Sequence, residues 1–282
     1  MTAEYCTPAT LLHQAINSLQ NAGIVNVQQE AELLLSELLS LPRLELQLYP
    51  DRILDASMSQ RLSAALERRA RLEPLQYILG TAYFRELTLS VGPGVLIPRP
   101  ETELLVDYVL RHAPAGAKVC DLGTGSGAIA ISLAFERPDF RVTGIELSSD
   151  ALQYAWRNAA TYNLSNLKIL QGDLFEPVSG EHFDFITANL PYVTTAEFAA
   201  LDHEVGAYEP ATALLGGDDG LDLVRRLIAA LPEYLRPGGG VILELGIHQS
   251  EEVTRLLTGL GIFTRVETVH DYNRHPRFVA AG

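Results

Sequence analysis

The sequence predicts an α/β protein in which a small helical bundle and a β-hairpin precede a larger domain with a mostly parallel sheet. Up to Gly80, apolar residues recur every three or four positions, as they do along one side of a helix. Short apolar runs then surround glycine and proline, and beyond Pro98 such runs alternate with helical stretches. For 282 residues we expect two domains, and we place the boundaries at residues 1–80, 81–97 and 98–282.

The helical part begins with an apolar stripe along the first predicted helix, formed by Leu11, Leu12, Ala15, Ile16 and Leu19. Prolines separate several of the apolar segments that follow. Three further helices are predicted over residues 27–41, 44–54 and 58–72. A small bundle buries such stripes against each other.

The β part begins with two apolar runs on either side of residues 92–94, which predict a hairpin with its turn at Gly92 and Gly94. One run contains Phe84 and Val91, and the other spans residues 95–97. Further strands are predicted at residues 118–122, 141–147, 168–171, 183–188, 241–245, 264–270 and 277–280. Helical stretches between most of them indicate a parallel sheet covered on both faces.

The charge balance disfavours a nucleic acid as a direct partner. The chain has 21 basic and 35 acidic residues, and its formal net charge is −14. Such a surface repels a phosphate backbone unless basic residues gather on one face. The densest basic stretch, which contains Arg68, Arg69 and Arg71, is expected to lie on a solvated face of a helix.

The chain is expected to be a cytoplasmic monomer. Cys6 and Cys120 lie far apart in the sequence, which suits a reducing compartment. Residues 1–5 lack the pattern of a secretion signal, and no apolar run approaches the ~20 residues that span a bilayer. The seven histidines show no spacing of a zinc motif, and no nucleophile elbow is visible, so we expect neither a metal site nor hydrolytic chemistry.

A glycine-rich loop follows the first strand of the predicted parallel sheet. In this loop Gly123, Gly125 and Gly127 alternate with Thr124 and Ser126, and a helix begins directly afterwards. Glycines let the backbone turn sharply and approach a ligand, and the helix start offers free N–H groups. A dinucleotide fingerprint would have a third glycine where this chain has Ala128. The loop therefore predicts a nucleotide-type cofactor without deciding between S-adenosylmethionine and a nicotinamide.

Acidic residues follow the next two strands. Glu146 comes roughly 20 residues after the loop, where a carboxylate accepts hydrogen bonds from ribose hydroxyls. The alternative is that Glu146 caps the following helix. Asp173 and Leu174 come after the third strand, where an adenine and its amino group are expected, or where they form a plain turn.

The tetrapeptide after the fourth strand, Asn189, Leu190, Pro191 and Tyr192, predicts the reacting centre. Pro191 forces Leu190 to be extended, so the Asn189 side-chain oxygen and the Leu190 carbonyl can point the same way. Two such acceptors hold an NH2 group and aim its nitrogen at an electrophilic methyl group, and Tyr192 offers a flat face for packing. The alternative is an ordinary turn after a strand.

Several segments together resemble the release-factor glutamine methyltransferase family, and the similarity runs through nearly the whole chain. The narrowest of them are VLIPRPETE at residues 95–103 and NLPY at residues 189–192. The others are EPLQYILG at 73–80, DLGTGSG at 121–127, YEPATALLGGDDGL at 208–221 and HDYN at 270–273. The family usually has a second proline where this chain has Leu190, but leucine keeps the backbone carbonyl that acts as the acceptor.

This resemblance implies a class I, Rossmann-like methyltransferase domain that uses S-adenosylmethionine. It also implies a seven-stranded, mostly parallel sheet whose last strand is antiparallel, and a helical domain that helps to recognise the substrate. The substrate would be the side-chain amide nitrogen (N5) of the glutamine in the Gly-Gly-Gln motif of a class I peptide-chain release factor. Residues 123–127 would hold the methionine part of the cofactor, with Glu146 at the ribose and Leu174 near the adenine.

By the same resemblance, residues 189–192 would hold the glutamine amide, with Asn189 and Tyr192 as catalytic residues and Asn189 also beside the cofactor. Rival functions remain open at this point. They are glutamine methylation of a ribosomal protein, methylation of an adenine or cytosine amino group in nucleic acid, nicotinamide-dependent oxidoreduction, and cofactor binding without catalysis.

Overall fold

The computed structural model describes residues 6–55 and 57–282. These residues form two compact units, one extending to Thr81 and including His203–Tyr208, the other formed by Ala82–Asp202 and Glu209–Gly282. Within the described residues, no helix combines the length and apolar character needed to cross a bilayer.

The first unit consists of helices. They are α1 (Pro8–Asn21), α2 (Val27–Leu39), α3 (Arg43–Leu48), α4 (Ser57–Ala70), α5 (Leu75–Leu79) and α10 (His203–Tyr208). The predicted helix over 44–54 was wrong at its end, because α3 stops at Leu48. Tyr49 precedes Pro50, and a residue before proline is disfavoured in the helical conformation.

The apolar stripes of these helices meet in one core, in which Leu19, Leu34 and Leu62 are almost completely buried. Arg69 contradicts the prediction of a solvated basic face, because its side chain is also buried. Its guanidinium donates to both carboxylate oxygens of Glu30 at 2.7 and 3.0 Å and to Glu204 at 3.0 Å. Burial of an arginine requires such paired acceptors.

A β-hairpin opens the second unit, but not with the predicted turn. Its strands are β1 (Thr81–Phe84) and β2 (Leu87–Ser90), so the turn lies at Arg85 rather than at residues 92–94. Arg85 has a φ of +52°, and its backbone N–H donates to the Glu103 carboxylate at 2.9 Å. Its guanidinium also binds Glu136 and Asp107. These contacts, which no local pattern reveals, hold an arginine in a conformation that usually favours glycine.

Seven of the strands that the structure describes form one sheet. Besides the hairpin, the strands are β3 (Lys118–Leu122), β4 (Arg141–Glu146), β5 (Leu167–Gln171), β6 (Phe183–Ala188), β7 (Leu235–Glu244), β8 (Val266–His270) and β9 (Pro276–Ala281). Their order is β5-β4-β3-β6-β7-β9-β8. Pairing is parallel from β5 to β7, and β9 runs antiparallel to both of its neighbours. The prediction of a mostly parallel seven-stranded sheet with an antiparallel last strand is confirmed.

Alternate side chains of the strands enter two cores on opposite faces of the sheet. Leu122 and Leu243 belong to one core, and Val119, Phe185 and Ile242 belong to the other. This alternation follows from the two-residue repeat of a strand. The helices of this unit are α6 (Glu103–His112), α7 (Ala128–Glu136), α8 (Ser149–Tyr162), α9 (Thr195–Phe198), α11 (Asp222–Tyr234) and α12 (Ser250–Gly259).

Asn158 of α8 connects the hairpin to the loop after β3. Its amide oxygen accepts from the Ser90 N–H at 2.7 Å, and its amide nitrogen donates to the Ser90 and Ser126 carbonyls at 3.1 and 2.8 Å. The side chain is 1% exposed. It therefore satisfies three backbone groups away from water.

We expect Asn158→Ala to lower the free energy of unfolding by about 2 kcal/mol, because it leaves buried backbone groups without partners. Urea unfolding followed by circular dichroism measures the change. Thr161→Ala on the exposed side of the same helix is the control, with an expected change within about 0.5 kcal/mol. Equal effects of the two substitutions would show that Asn158 does not contribute this stability.

Candidate active site

The register between β3 and β6 places the two predicted motifs side by side. Leu122 pairs with Ala188, so Gly123 and Asn189 leave neighbouring parallel strands at the same edge of the sheet. The chain continues from β3 to β4 on one side and reaches β6 on the other, which makes this edge a topological switch point. A cavity of about 400 Å³ opens there, a size that suits a small ligand.

The cavity is lined by most of the predicted cofactor residues and by part of the NLPY segment. Gly123, Thr124, Gly125, Ser126, Glu146, Asn189 and Pro191 belong to the lining. The segments at residues 94–102 and 210–213 contribute further walls. The structure therefore brings together most of the glycine loop, Glu146 and part of the predicted acceptor segment, residues 189–192. Gly127, Leu190 and Tyr192 lie outside the lining.

A buried carboxylate beneath the loop fixes the loop's path. Asp121 is 0% exposed and accepts hydrogen bonds from the hydroxyls of Thr124 at 2.6 Å and Thr187 at 2.8 Å. Burial raises the pKa of Asp121 to about 7, and the two threonine hydrogen bonds oppose this shift. The Thr124 N–H also donates to the Ile145 carbonyl at 3.0 Å. Thr124 thus connects the loop to two strands.

The glycines of the loop are required at defined places. Gly123 has a φ of +68°, and a Cβ there would lie 2.9 Å from Cδ2 of Leu190. Gly127 has a φ of +87° and begins α7, where a Cβ would lie 2.6 Å from Cδ1 of Ile131. Side chains at these positions would be strained and would displace the acceptor segment or the helix.

Glu146 holds the loop and retains capacity for a ligand. One oxygen accepts from the Gly125 N–H and the other from the Ser148 N–H, both at 2.8 Å. Burial raises its pKa, and these backbone hydrogen bonds oppose the shift. The alternative prediction, that Glu146 caps the following helix, is therefore supported by the hydrogen bond from Ser148 at the start of α8. Because a carboxylate offers about four lone-pair sites, the same group can also accept from ribose hydroxyls.

Asp173 and Leu174 lie outside the residues that line the cavity. The Asp173 carboxylate forms an ion pair with Arg226 at 2.8 Å. Leu174 has a φ of +48° and packs against the core that contains Leu122. Their contact with an adenine stays a prediction.

The acceptor segment is fixed at three points. The Asn189 amide nitrogen donates to the Thr102 hydroxyl at 3.3 Å, and the Tyr192 carbonyl accepts from the Gln249 amide at 2.8 Å. The Tyr192 hydroxyl accepts from Arg277 at 3.1 Å. Burial raises the pKa of Tyr192 to about 12, so the phenol stays protonated near neutral pH. Leu190 itself is 5% exposed, so its side chain belongs to the core.

Glu209 joins the two remaining walls of the cavity. Its buried carboxylate accepts from the Ile97 N–H at 3.2 Å and from the Arg99 guanidinium at 2.5 Å. Arg99 belongs to the VLIPRPETE segment, and Glu209 to the YEPATALL segment. Both segments contribute to the lining beside Asn189.

Sequence reasoning did not identify the acids and threonines that support the site. They are Asp121, Thr187, Thr102, Glu209 and Glu244. The sequence holds a signal for two of them, because Asp121 and Glu244 are the acidic residues in the apolar runs VCDL (119–122) and VILEL (241–245). Within the described residues, no cluster of histidine, cysteine or acidic side chains has the arrangement of a metal site.

The parallel sheet, the glycine loop at its switch point and the adjoining NLPY segment are those of an S-adenosylmethionine-dependent methyltransferase. A family model described as "Methyltransferase domain" matches residues 114–272, and one described as "PrmC N-terminal domain" matches residues 10–80. A methyltransferase from Pyrococcus furiosus with a crystal structure shares the fold, at a TM-score of 0.54 and 21% identity, over 76% of this chain and 97% of that one.

Curated relatives give the particular family. A release factor glutamine methyltransferase of Geobacter sulfurreducens is 45% identical over 247 residues, which cover 88% of this chain and 84% of that protein. One of Salmonella typhimurium is 36% identical over 267 residues, which cover 94% of this chain and 95% of that protein. The chain belongs to the release factor glutamine methyltransferase family.

The described residues fit S-adenosylmethionine. The cavity has the volume of a small-ligand site, Gly123 and Gly125 line it without side chains, and Glu146 has free acceptor capacity. The residues in position to hold the cofactor are Gly123, Thr124, Gly125, Ser126, Glu146 and Asn189.

We expect Glu146→Gln to weaken the binding of S-adenosylmethionine roughly 10- to 100-fold, as measured by titration calorimetry. A glutamine offers only one oxygen, so its NH2 group would face a backbone N–H that the carboxylate now satisfies. Asp150→Asn removes a nearby exposed charge at the start of α8 and should leave the affinity within about twofold. If Glu146→Gln lowered the melting temperature but kept the wild-type affinity, Glu146 would serve the helix start alone.

Proposed function

We propose that this protein transfers the methyl group of S-adenosylmethionine to the side-chain amide nitrogen (N5) of the glutamine in the Gly-Gly-Gln motif of class I peptide-chain release factors. The observation that carries the proposal is the position of Asn189, which leaves β6 beside the glycine loop and lines the same cavity. The names of the relatives support the choice of substrate.

A carboxamide nitrogen is a poor nucleophile because its lone pair is delocalised into the carbonyl. The protein's task is therefore to orient this nitrogen and stabilise the geometry in which the lone pair is available. The cofactor supplies a methyl group on a positively charged sulfur. In this proposal the Asn189 side-chain oxygen and the Leu190 carbonyl accept the two hydrogens of the substrate NH2 group, and the Tyr192 ring packs beside the amide.

Tyr192 contributes position rather than proton transfer. Because its pKa is about 12, the phenol is protonated near neutral pH and is not available as a general base, and its hydroxyl accepts a hydrogen bond from Arg277. The guanidinium lies 5.3 Å from the centre of the Tyr192 ring. This contact holds the ring at the end of the acceptor segment.

The remaining parts of the proposal concern partners and location. The helical unit would contribute to recognition of the release factor, and the protein would act as a cytoplasmic monomer without direct contact to nucleic acid or membrane. The net charge of −14 supports a protein partner over a polyanion.

We expect labelled methyl from S-adenosylmethionine to enter a class I release factor at the Gly-Gly-Gln glutamine when purified protein is incubated with it. Peptide mass spectrometry locates the modification. A release factor in which that glutamine is replaced by alanine is the control and should remain unlabelled. Label that persists in this control, or that enters ribosomal protein or nucleic acid in its place, would overturn the substrate assignment.

We expect Asn189→Ala to reduce kcat by roughly 100-fold or more, because it removes one of the two acceptors that orient the amide. The affinity for S-adenosylmethionine should stay within several-fold. Asn273→Ala, at an exposed asparagine outside the cavity lining, should retain wild-type kcat. A parallel loss of kcat and cofactor affinity in Asn189→Ala would assign Asn189 to cofactor binding instead.

A further inference from the structure

A buried carboxylate lies behind the acceptor segment, at the end of a short hydrogen-bond chain. Glu244 is the last residue of β7 and is 1% exposed. It accepts from the Thr102 hydroxyl at 2.8 Å, and Thr102 accepts from the Asn189 amide nitrogen at 3.3 Å. Thr102 ends a short 3₁₀ turn over Pro100–Thr102. Asn189 and Thr102 line the cavity, whereas Glu244 does not.

The direction of these hydrogen bonds follows from the ionised carboxylate. A carboxylate only accepts, so the single hydroxyl hydrogen of Thr102 must point to Glu244. The threonine oxygen then has only lone pairs for Asn189, and it can accept from the NH2 end of that side chain but cannot donate to its oxygen. The Asn189 oxygen is thereby left for a ligand. The direction of donation, from Asn189 to Thr102 and from Thr102 to Glu244, therefore determines that the oxygen of the Asn189 carboxamide is the free acceptor.

We propose that Glu244 is a positioning residue that acts through Thr102 to keep the oxygen of the Asn189 carboxamide, rather than its NH2 group, available to the substrate amide. This inference rests on the proposed function, because it assumes that the acceptor is an NH2 group. If the Asn189 side chain were turned the other way, its NH2 group would face the NH2 group of the substrate amide, and no hydrogen bond could form.

The surroundings of Glu244 make the positioning of the Asn189 side chain sensitive to the protonation of Glu244. Burial raises its pKa to about 7, while the Thr102 hydrogen bond and Arg277 of β9 oppose the shift. Glu101 raises the pKa and Arg99 lowers it, both from the segment that carries Thr102. Tyr192, from the acceptor segment, remains uncharged near neutral pH. Within the described residues, the second carboxylate oxygen of Glu244 has no hydrogen-bond partner, so Thr102 holds the group through one oxygen.

The sign of the pH effect follows. Above its pKa, Glu244 is ionised and the hydroxyl of Thr102 donates to it. Below its pKa, the protonated group can itself donate to Thr102, whose hydrogen is then free to bind the Asn189 oxygen. Turnover should therefore fall as the pH is lowered through about 7.

The test compares Glu244→Leu, Glu244→Gln, Thr102→Val and Thr102→Ser with the wild type, using a release factor as substrate. We expect Glu244→Leu and Thr102→Val each to lower kcat roughly 10- to 100-fold, with cofactor affinity within several-fold. The two changes combined should cost little more than one alone, because both interrupt the same chain of hydrogen bonds. Thr102→Ser keeps the hydroxyl and should retain most of the activity. Glu244→Gln keeps an oxygen that accepts from Thr102 but cannot ionise, so it should retain more activity than Glu244→Leu and lose the wild-type decline of kcat at acidic pH.

A matched control is Glu267→Gln. Glu267 also accepts a hydroxyl hydrogen bond, from Tyr108 at 2.9 Å, and lies outside the cavity lining. It should keep the wild-type kcat and pH profile. Melting temperatures of all variants separate loss of fold from loss of orientation.

The possible outcomes distinguish this inference from the proposed function. If the wild type methylates the release factor and Glu244→Leu matches it in kcat, or Glu244→Gln keeps its pH profile, the role of Glu244 is refuted while the function stands. Equal loss of kcat and cofactor affinity in Thr102→Val would also refute it. If the wild type leaves the release factor unmodified, the proposed function itself fails, and the inference fails with it.

Discussion

Parallel pairing between β3 and β6 is the constraint on which the site depends. The register that joins Leu122 to Ala188 brings the glycine loop and the acceptor segment together, although 66 residues separate Gly123 from Asn189 in the chain. Parallel strands present their carboxyl ends at one edge, so every loop that follows such a strand can contribute to the same cavity. The glycine loop and the NLPY segment therefore have a fixed separation that neither sequence motif defines alone.

Buried carboxylates hold this edge of the sheet in a recurring arrangement. Asp121 accepts from Thr124 and Glu244 accepts from Thr102, and both threonines line the cavity while both acids lie behind it. Burial raises the pKa of each acid to about 7. A buried carboxylate costs stability unless it is hydrogen-bonded, which makes its position informative. In both places the acid accepts a hydrogen bond from the hydroxyl of a threonine in the cavity lining.

The sequence was sufficient for elements whose signal is local. The bounds of β3 and β6 agree with the predicted 118–122 and 183–188, because each is a short run bordered by glycine, proline or polar residues. The hairpin prediction failed because distant contacts decide the turn, which depends on Arg85 and its acidic partners. The end of α3 was missed although its signal, Pro50, is local.

The same limit applies to the site. Asn189 and the glycine loop were recognisable from the residue types and the strand that precedes them. The partner of Thr102, in contrast, lies 142 positions away, and spacing along the chain carries no information about that contact. Only the sheet order, which places β7 beside β6, brings Glu244 behind the acceptor segment.

Leu190 illustrates how tertiary contacts can replace local stiffness. A proline at this position would restrict the backbone by its ring, whereas leucine leaves φ free. In this chain the leucine side chain is buried, and its Cδ2 occupies the space that the missing Cβ of Gly123 leaves open. The flanking residues are fixed as well, Asn189 by Thr102 and the Tyr192 carbonyl by Gln249. Packing of its side chain and hydrogen bonds on both sides therefore hold Leu190 in place, and the acceptor role proposed for its carbonyl does not require a second proline.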